Sequence, residues 1–114
     1  MLRLLALLAA LSPAAATAQP HCNGQTQIDA NFCAMEKWEI ADRELNRLWS
    51  QVKPAADARG TGQALLAEQR AWLKRRDATC GPEQASGGSA APMFYWDCME
   101  QETLRRNQVL RALQ

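Results

Sequence analysis

A guanidinium set in the middle of an apolar helical stripe is the strongest constraint this chain places on its fold. Along Leu65–Cys80, read at 100° per residue, Leu65, Trp72, Leu73 and Cys80 share one face, and Gln69 and Arg76 fall near its centre. A buried charge is costly unless it is paired and hydrogen-bonded. The stretch therefore requires a carboxylate from a second segment, and with it a helix packed on a helix.

The segment before it supplies that carboxylate. Thr26 with Asp29 three residues later has the form of a capping box, which predicts a helix from about Gln27 to Lys53, stopped by Pro54. Its apolar face collects Ile28, Phe32, Met35, Trp38, Leu45, Trp49 and Val52, with Asp42 at the centre of the face and Asn46 one turn on. Ile40 points away. Thr61 is the expected N-cap of the Arg76 helix, which Gly81-Pro82 should close after Cys80. Ser86-Gly87-Gly88-Ser89 reads as an irregular loop. Pro92 fits the first turn of a third helix reaching about Leu113, whose inward face reads Tyr95, Met99, Arg106, Leu110 and Leu113. Nothing alternates with the period of a strand. The expected fold is all-α, a small three-helix bundle in which successive helices run antiparallel.

That topology places the start of the first helix, the end of the second and the start of the third at one end. Cys22, Cys33, Cys80 and Cys98 all map there. Zinc would want closely spaced ligand pairs and His21 is the sole histidine, so the four thiols read as two disulfides. Cys22–Cys33 with Cys80–Cys98, the second clamping the base of the Gly/Ser loop, is the preferred pairing; Cys33–Cys80 with Cys22–Cys98 serves nearly as well. Each bridge should contribute roughly 3 kcal/mol.

Disulfides imply an oxidising compartment, and the N-terminus agrees. Met1-Leu2-Arg3, the apolar run Leu4–Leu11 and the small residues of Ala16-Thr17-Ala18 have the three parts of a secretory signal peptide. Cleavage after Ala18 leaves one domain, residues 19–114, periplasmic or secreted, and no lipobox precedes Cys22. The mature chain then carries 12 basic and 12 acidic residues, because the leader takes Arg3 from the 13 of the full sequence. Formal neutrality argues against nucleic acid and anionic membrane as partners.

Two constellations remain. At similar heights in an antiparallel pair, Asp42 and Arg76 form the expected ion pair, and Asn46, Gln69, Thr103 and Arg106, with Glu102 nearby, complete a polar layer fixing helix register. On this reading Asp42→Asn costs roughly 3 kcal/mol. With no Ser-His-Asp arrangement, metal cluster or cofactor motif, the layer reads as structural rather than catalytic. Phe94-Tyr95-Trp96 spreads through about 200° of a helix, so Phe94 is left over beside the loop. Gly87, Gly88, Ser89 and Phe94 are therefore the candidate partner-binding residues.

The chain resembles the lysozyme-inhibitor LprI-like family over nearly all of residues 19–114. The residues that carry the likeness are Asn31-Phe32-Cys33-Ala34, Ala41-Asp42-Arg43-Glu44-Leu45-Asn46, Gln69-Arg70-Ala71-Trp72 with Arg76-Asp77 and Cys80, Gly87-Gly88-Ser89, Cys98, and Thr103 with Arg106. Trp49 stands where the family often has an aromatic such as Tyr. The resemblance implies a helical, disulfide-stabilised exported domain, and a lysozyme-type muramidase as protein partner. The first functional reading is a binding module that occludes the muramidase cleft with the loop near Glu83–Phe94. The second is a structural or adaptor protein of the envelope, and a hydrolase using the polar layer is a distant third.

Overall fold

The computed structural model describes residues 20–114; the expected leader, residues 1–18, lies outside them. A 3₁₀ turn, Pro20–Asn23, precedes three helices, α1 (Gln27–Ala58), α2 (Gly62–Ala85) and α3 (Ala91–Arg111), and no strand occurs among the described residues. None of the helices is long and apolar enough to cross a membrane.

The capping box forms. Thr26 Oγ1 accepts from the Asp29 amide at 3.0 Å and Asp29 Oδ2 accepts from the Thr26 amide at 3.3 Å, so two otherwise unpaired donors at the start of α1 are satisfied. The far ends differ from expectation in the same way in α1 and α2. Helix α1 does not stop at Pro54 but runs through it to Ala58, and α2 does not stop at Gly81-Pro82 but continues to Ala85. A proline removes one rung of the helical ladder, while burial holds the chain in register beyond it: Leu48, Val52 and Ala56, four apart, are all buried across Pro54. Each helix ends instead at the next glycine able to turn left-handed, Gly60 at φ +78° and Gly87 at φ +76°. At Gly60 the amides of Thr61 and Gly60 close on the carbonyls of Ala56 and Asp57, the doubly bonded glycine stop of helix C-termini. Thr61 occupies the N-cap position of α2, but its hydroxyl donates to the Ala56 carbonyl rather than capping.

Helix α3 packs most extensively against α1, to which it runs parallel, and also against the antiparallel α2; the α1–α2 contact is the lightest. The core sits in the half of the bundle nearer the α1–α2 turn, where Leu45, Leu48, Val52, Trp72 and Leu110 pack with Trp49, Leu65 and Leu73 around them. Burial on α1 follows Ala41, Leu45, Leu48, Val52 and Ala56, so Ile28 and Phe32, expected inside, are outside at 67% and 43% exposure. On α3, Met99, Thr103, Arg106, Asn107 and Leu110 face inward; Leu113 does not. The disulfides are Cys22–Cys33 and Cys80–Cys98, the preferred pairing.

Candidate functional site

The end of the bundle opposite the core is built from short-range ties. Cys22–Cys33 folds the 3₁₀ turn onto the first turns of α1, where the His21 ring stacks on Phe32 with centroids 4.8 Å apart and its Nδ1 meets Glu36 Oε1. Trp38 of α1 and Trp96 of α3 lie ring against ring at 4.8 Å, with Tyr95 edge-on to Trp96. Cys80–Cys98 joins α2 to α3 below the connecting loop. Ser89 at the end of that loop accepts from the Asn31 side chain through its backbone carbonyl at 2.8 Å.

The loop tip itself stands clear. Gly87 and Gly88 both adopt positive φ, and nothing lies within 4 Å of where a Cβ would stand on either. Their conformation, rather than crowding, is what requires glycine there. Phe94, in the first turn of α3, is 53% exposed. It lines a groove of about 370 Å³ between α3, α1 and the 3₁₀ turn, together with Met93, Ala30, Ala34, His21 and Gly24, and with Asp97, Glu100 and Lys37 as its charged members. Partial burial pushes the Glu100 carboxyl above its usual range, against the opposing pull of Lys37. Gly87, Gly88, Ser89 and Phe94 thus occupy one end of the molecule, joined to α1 at Asn31.

The polar layer takes a different form from the expected one. Asp42 and Arg76 border the same groove between α1 and α2 but make no ion pair; Asp42 is approached by the Asn46 amide at 3.5 Å, and Arg76 Nε donates to its neighbour Asp77 at 3.2 Å. The buried guanidinium that finds a carboxylate on another helix is Arg106. It forks onto Glu68, donating through Nη1 to Oε1 at 2.6 Å and through Nη2 to Oε2, while its Nε donates to Gln69 at 2.7 Å. That pairing draws the Glu68 carboxyl below its usual range. Arg76 and Arg106 both lie over the Trp72 ring, at 5.1 and 5.6 Å from its centroid, so the indole shares in compensating the two buried cations. Thr103 turns its hydroxyl back to the Met99 carbonyl, and Glu102 pairs with Arg105. Asn107, absent from the sequence reading, ties α3 to α1 through the Ala41 carbonyl at 3.0 Å. Its only advance signal was its place four residues after Thr103 on the inward face.

Chemically, this seam consists of guanidiniums, amides, carboxylates and the Thr103 hydroxyl, which is held by the Met99 carbonyl. Among the described residues, no group of three or more His, Cys, Asp or Glu could hold a metal ion. The cystine end offers what the seam lacks: an exposed aromatic beside a projecting glycine tip.

Comparison with known proteins places these features in a lineage. A family model described as lysozyme inhibitor LprI matches residues 18–110. An uncharacterized protein of Rhizobium meliloti (strain 1021) is 33% identical over 123 aligned positions, covering 94% of this chain and 88% of that one. No solved structure matches.

Proposed function

Since the chain belongs to the LprI lysozyme-inhibitor family, we propose that it is an exported, non-catalytic protein that binds a lysozyme-type muramidase and blocks its cleft. The blocking element is the loop of residues 86–90 with Phe94 beside it. The observation that carries this reading is a 53% exposed Phe94 next to a projecting Gly87-Gly88 tip, on a base clamped by Cys80–Cys98. An aromatic anchor on a pre-ordered support loses little freedom when it docks, and anchors of this kind carry most of the energy of protein interfaces. The two disulfides support an extracytoplasmic site of action.

The test is a concentration series of the oxidised mature protein against lysis by c-type, g-type and i-type lysozymes. Saturable inhibition of at least one type is expected. A variant carrying Ser89→Asp and Phe94→Ala, which leaves the two positive-φ glycines in place, should lose inhibition while keeping its melting temperature within a few degrees. Inhibition retained in that variant assigns the contact to another surface. Failure against all three types removes the muramidase reading and leaves the envelope adaptor.

A further inference from the structure

The formal neutrality of the chain conceals a segregation of charge. Residues 21–36 and 77–100 contain six carboxylates and no lysine or arginine, whereas residues 37–76 and 101–114 hold twelve lysines and arginines and the other six carboxylates. The fold gathers the two cation-free segments at one end: Asn31 meets Ser89, Gln27 meets Met93, and each disulfide lies wholly within this pool. The bundle is therefore bipolar, acidic at the cystine end and basic at the end holding the core.

Three of the six carboxylates are already engaged, Asp29 in the capping box, Glu36 with His21 and Asp77 with Arg76. Glu83, Asp97 and Glu100 form no ion pair among the described residues. Asp97 and Glu100 follow Phe94 at three-residue intervals on α3 and line the same groove, and Glu83 lies in the last turn of α2, across the loop. Lys37 is the only lysine or arginine that lines it.

We infer that the groove beside Phe94, lined by Asp97 and Glu100, docks the basic surface of a cationic muramidase, and that the acidic pole, to which Glu83 across the loop belongs, steers the encounter. This rests on the muramidase reading and adds to it the sign of the partner, the face that meets it and the division of labour on that face. An enzyme that works on an anionic wall polymer gains from a basic surface around its carboxylate-bearing cleft. An acidic pole on a neutral inhibitor orients it, loop first, before contact. Phe94 then sets residence time and the carboxylates set association rate, because long-range charge acts on encounter and buried contacts act on dissociation.

The experiment measures association and dissociation rates of the full mature protein with c-, g- and i-type lysozymes, from about 20 to about 200 mM salt, a range over which the Debye length shrinks to less than half. For the type that binds, the wild-type association rate should fall about tenfold across the series with little change in dissociation. The variant Glu83→Gln/Asp97→Asn/Glu100→Gln should associate about tenfold more slowly at low salt and lose most of the salt dependence. Phe94→Ala should shorten residence and keep the salt dependence. Arg43→Gln/Arg59→Gln, at the basic end, should leave association within about twofold of wild type. Binding whose rate ignores both salt and the triple variant overturns the inference and leaves the muramidase reading standing. Absence of binding to all three types overturns both.

Discussion

The two halves of this bundle share three helices and are held by different physics. Toward the α1–α2 turn, Leu45, Leu48, Val52, Trp72 and Leu110 make a packed core, and Arg106 is locked over Trp72 by Glu68 and Gln69. Toward the cystines, large side chains lie outside, Ile28, Phe32 and Phe94 among them, and two covalent bridges take over from packing. A small domain has too little interior to be stable by burial everywhere. Holding one end by disulfides leaves Phe94, Asp97 and Glu100 without a packing or ion-pair role among the described residues there, which is why the proposed function places the partner at that end.

The largest effect should come from the core. Leu48→Ala removes a fully buried side chain and is expected to cost about 3–4 kcal/mol in urea unfolding. An effect below about 1 kcal/mol would show that packing does not dominate that half. Next, Cys80→Ser/Cys98→Ser should cost about 3 kcal/mol. Its hydrogen exchange should accelerate around residues 80–98 while the amides of Leu45–Val52 keep their relative protection. Uniform acceleration would merge the two halves into one cooperative unit. A smaller effect is expected from Glu68→Gln, under about 1 kcal/mol at neutral pH because Glu68 is 49% exposed and solvent screens the pair. The Arg106 guanidinium holds the folded carboxyl below its ordinary value of 4.5. Its contribution is therefore complete above pH 4.5 and is lost as pH falls through the folded value, so the gap between wild type and variant should narrow on acidification.

Much of this division could be read from residues alone. The helices, the capping box and the gathering of the cysteines at one end follow from caps, spacing and topology, while the choice between two nearly equal disulfide pairings needed the structure. Two helix ends did not, because Pro54 and Pro82 look like stops while Gly60 and Gly87 set the actual ones. Ile28 and Phe32 fit a continuous apolar face, but burial on α1 begins at Ala41 and shifts to include Leu48. Glu68 went unnoticed because it lies beside Gln69, off the apolar stripe, and only the fork of Arg106 reaches it. The absence of lysine and arginine from residues 77–100 was visible in the chain. Its meaning needed the fold, since only there does that segment meet residues 21–36.

Asp42 is where the two ways of holding the bundle are most finely told apart. On the sequence reading it pairs with Arg76 and its loss costs roughly 3 kcal/mol, as for one partner of a buried ion pair. In the structure its nearest polar partner is the Asn46 amide at 3.5 Å, and Arg76 turns to the 63% exposed Asp77 and to the Trp72 ring. Asp42→Asn should then cost less than about 0.5 kcal/mol, the range of a surface substitution away from special features. A double-mutant cycle with Arg76→Met should give a coupling within about 0.5 kcal/mol of zero. A coupling of about 2 kcal/mol or more would mean that α1 and α2 close on each other in solution, extending the polar seam across all three helices. The lightest contact in the bundle would then have become a third structural tie, and the contrast between a packed half and a stapled half would need a charged layer between them.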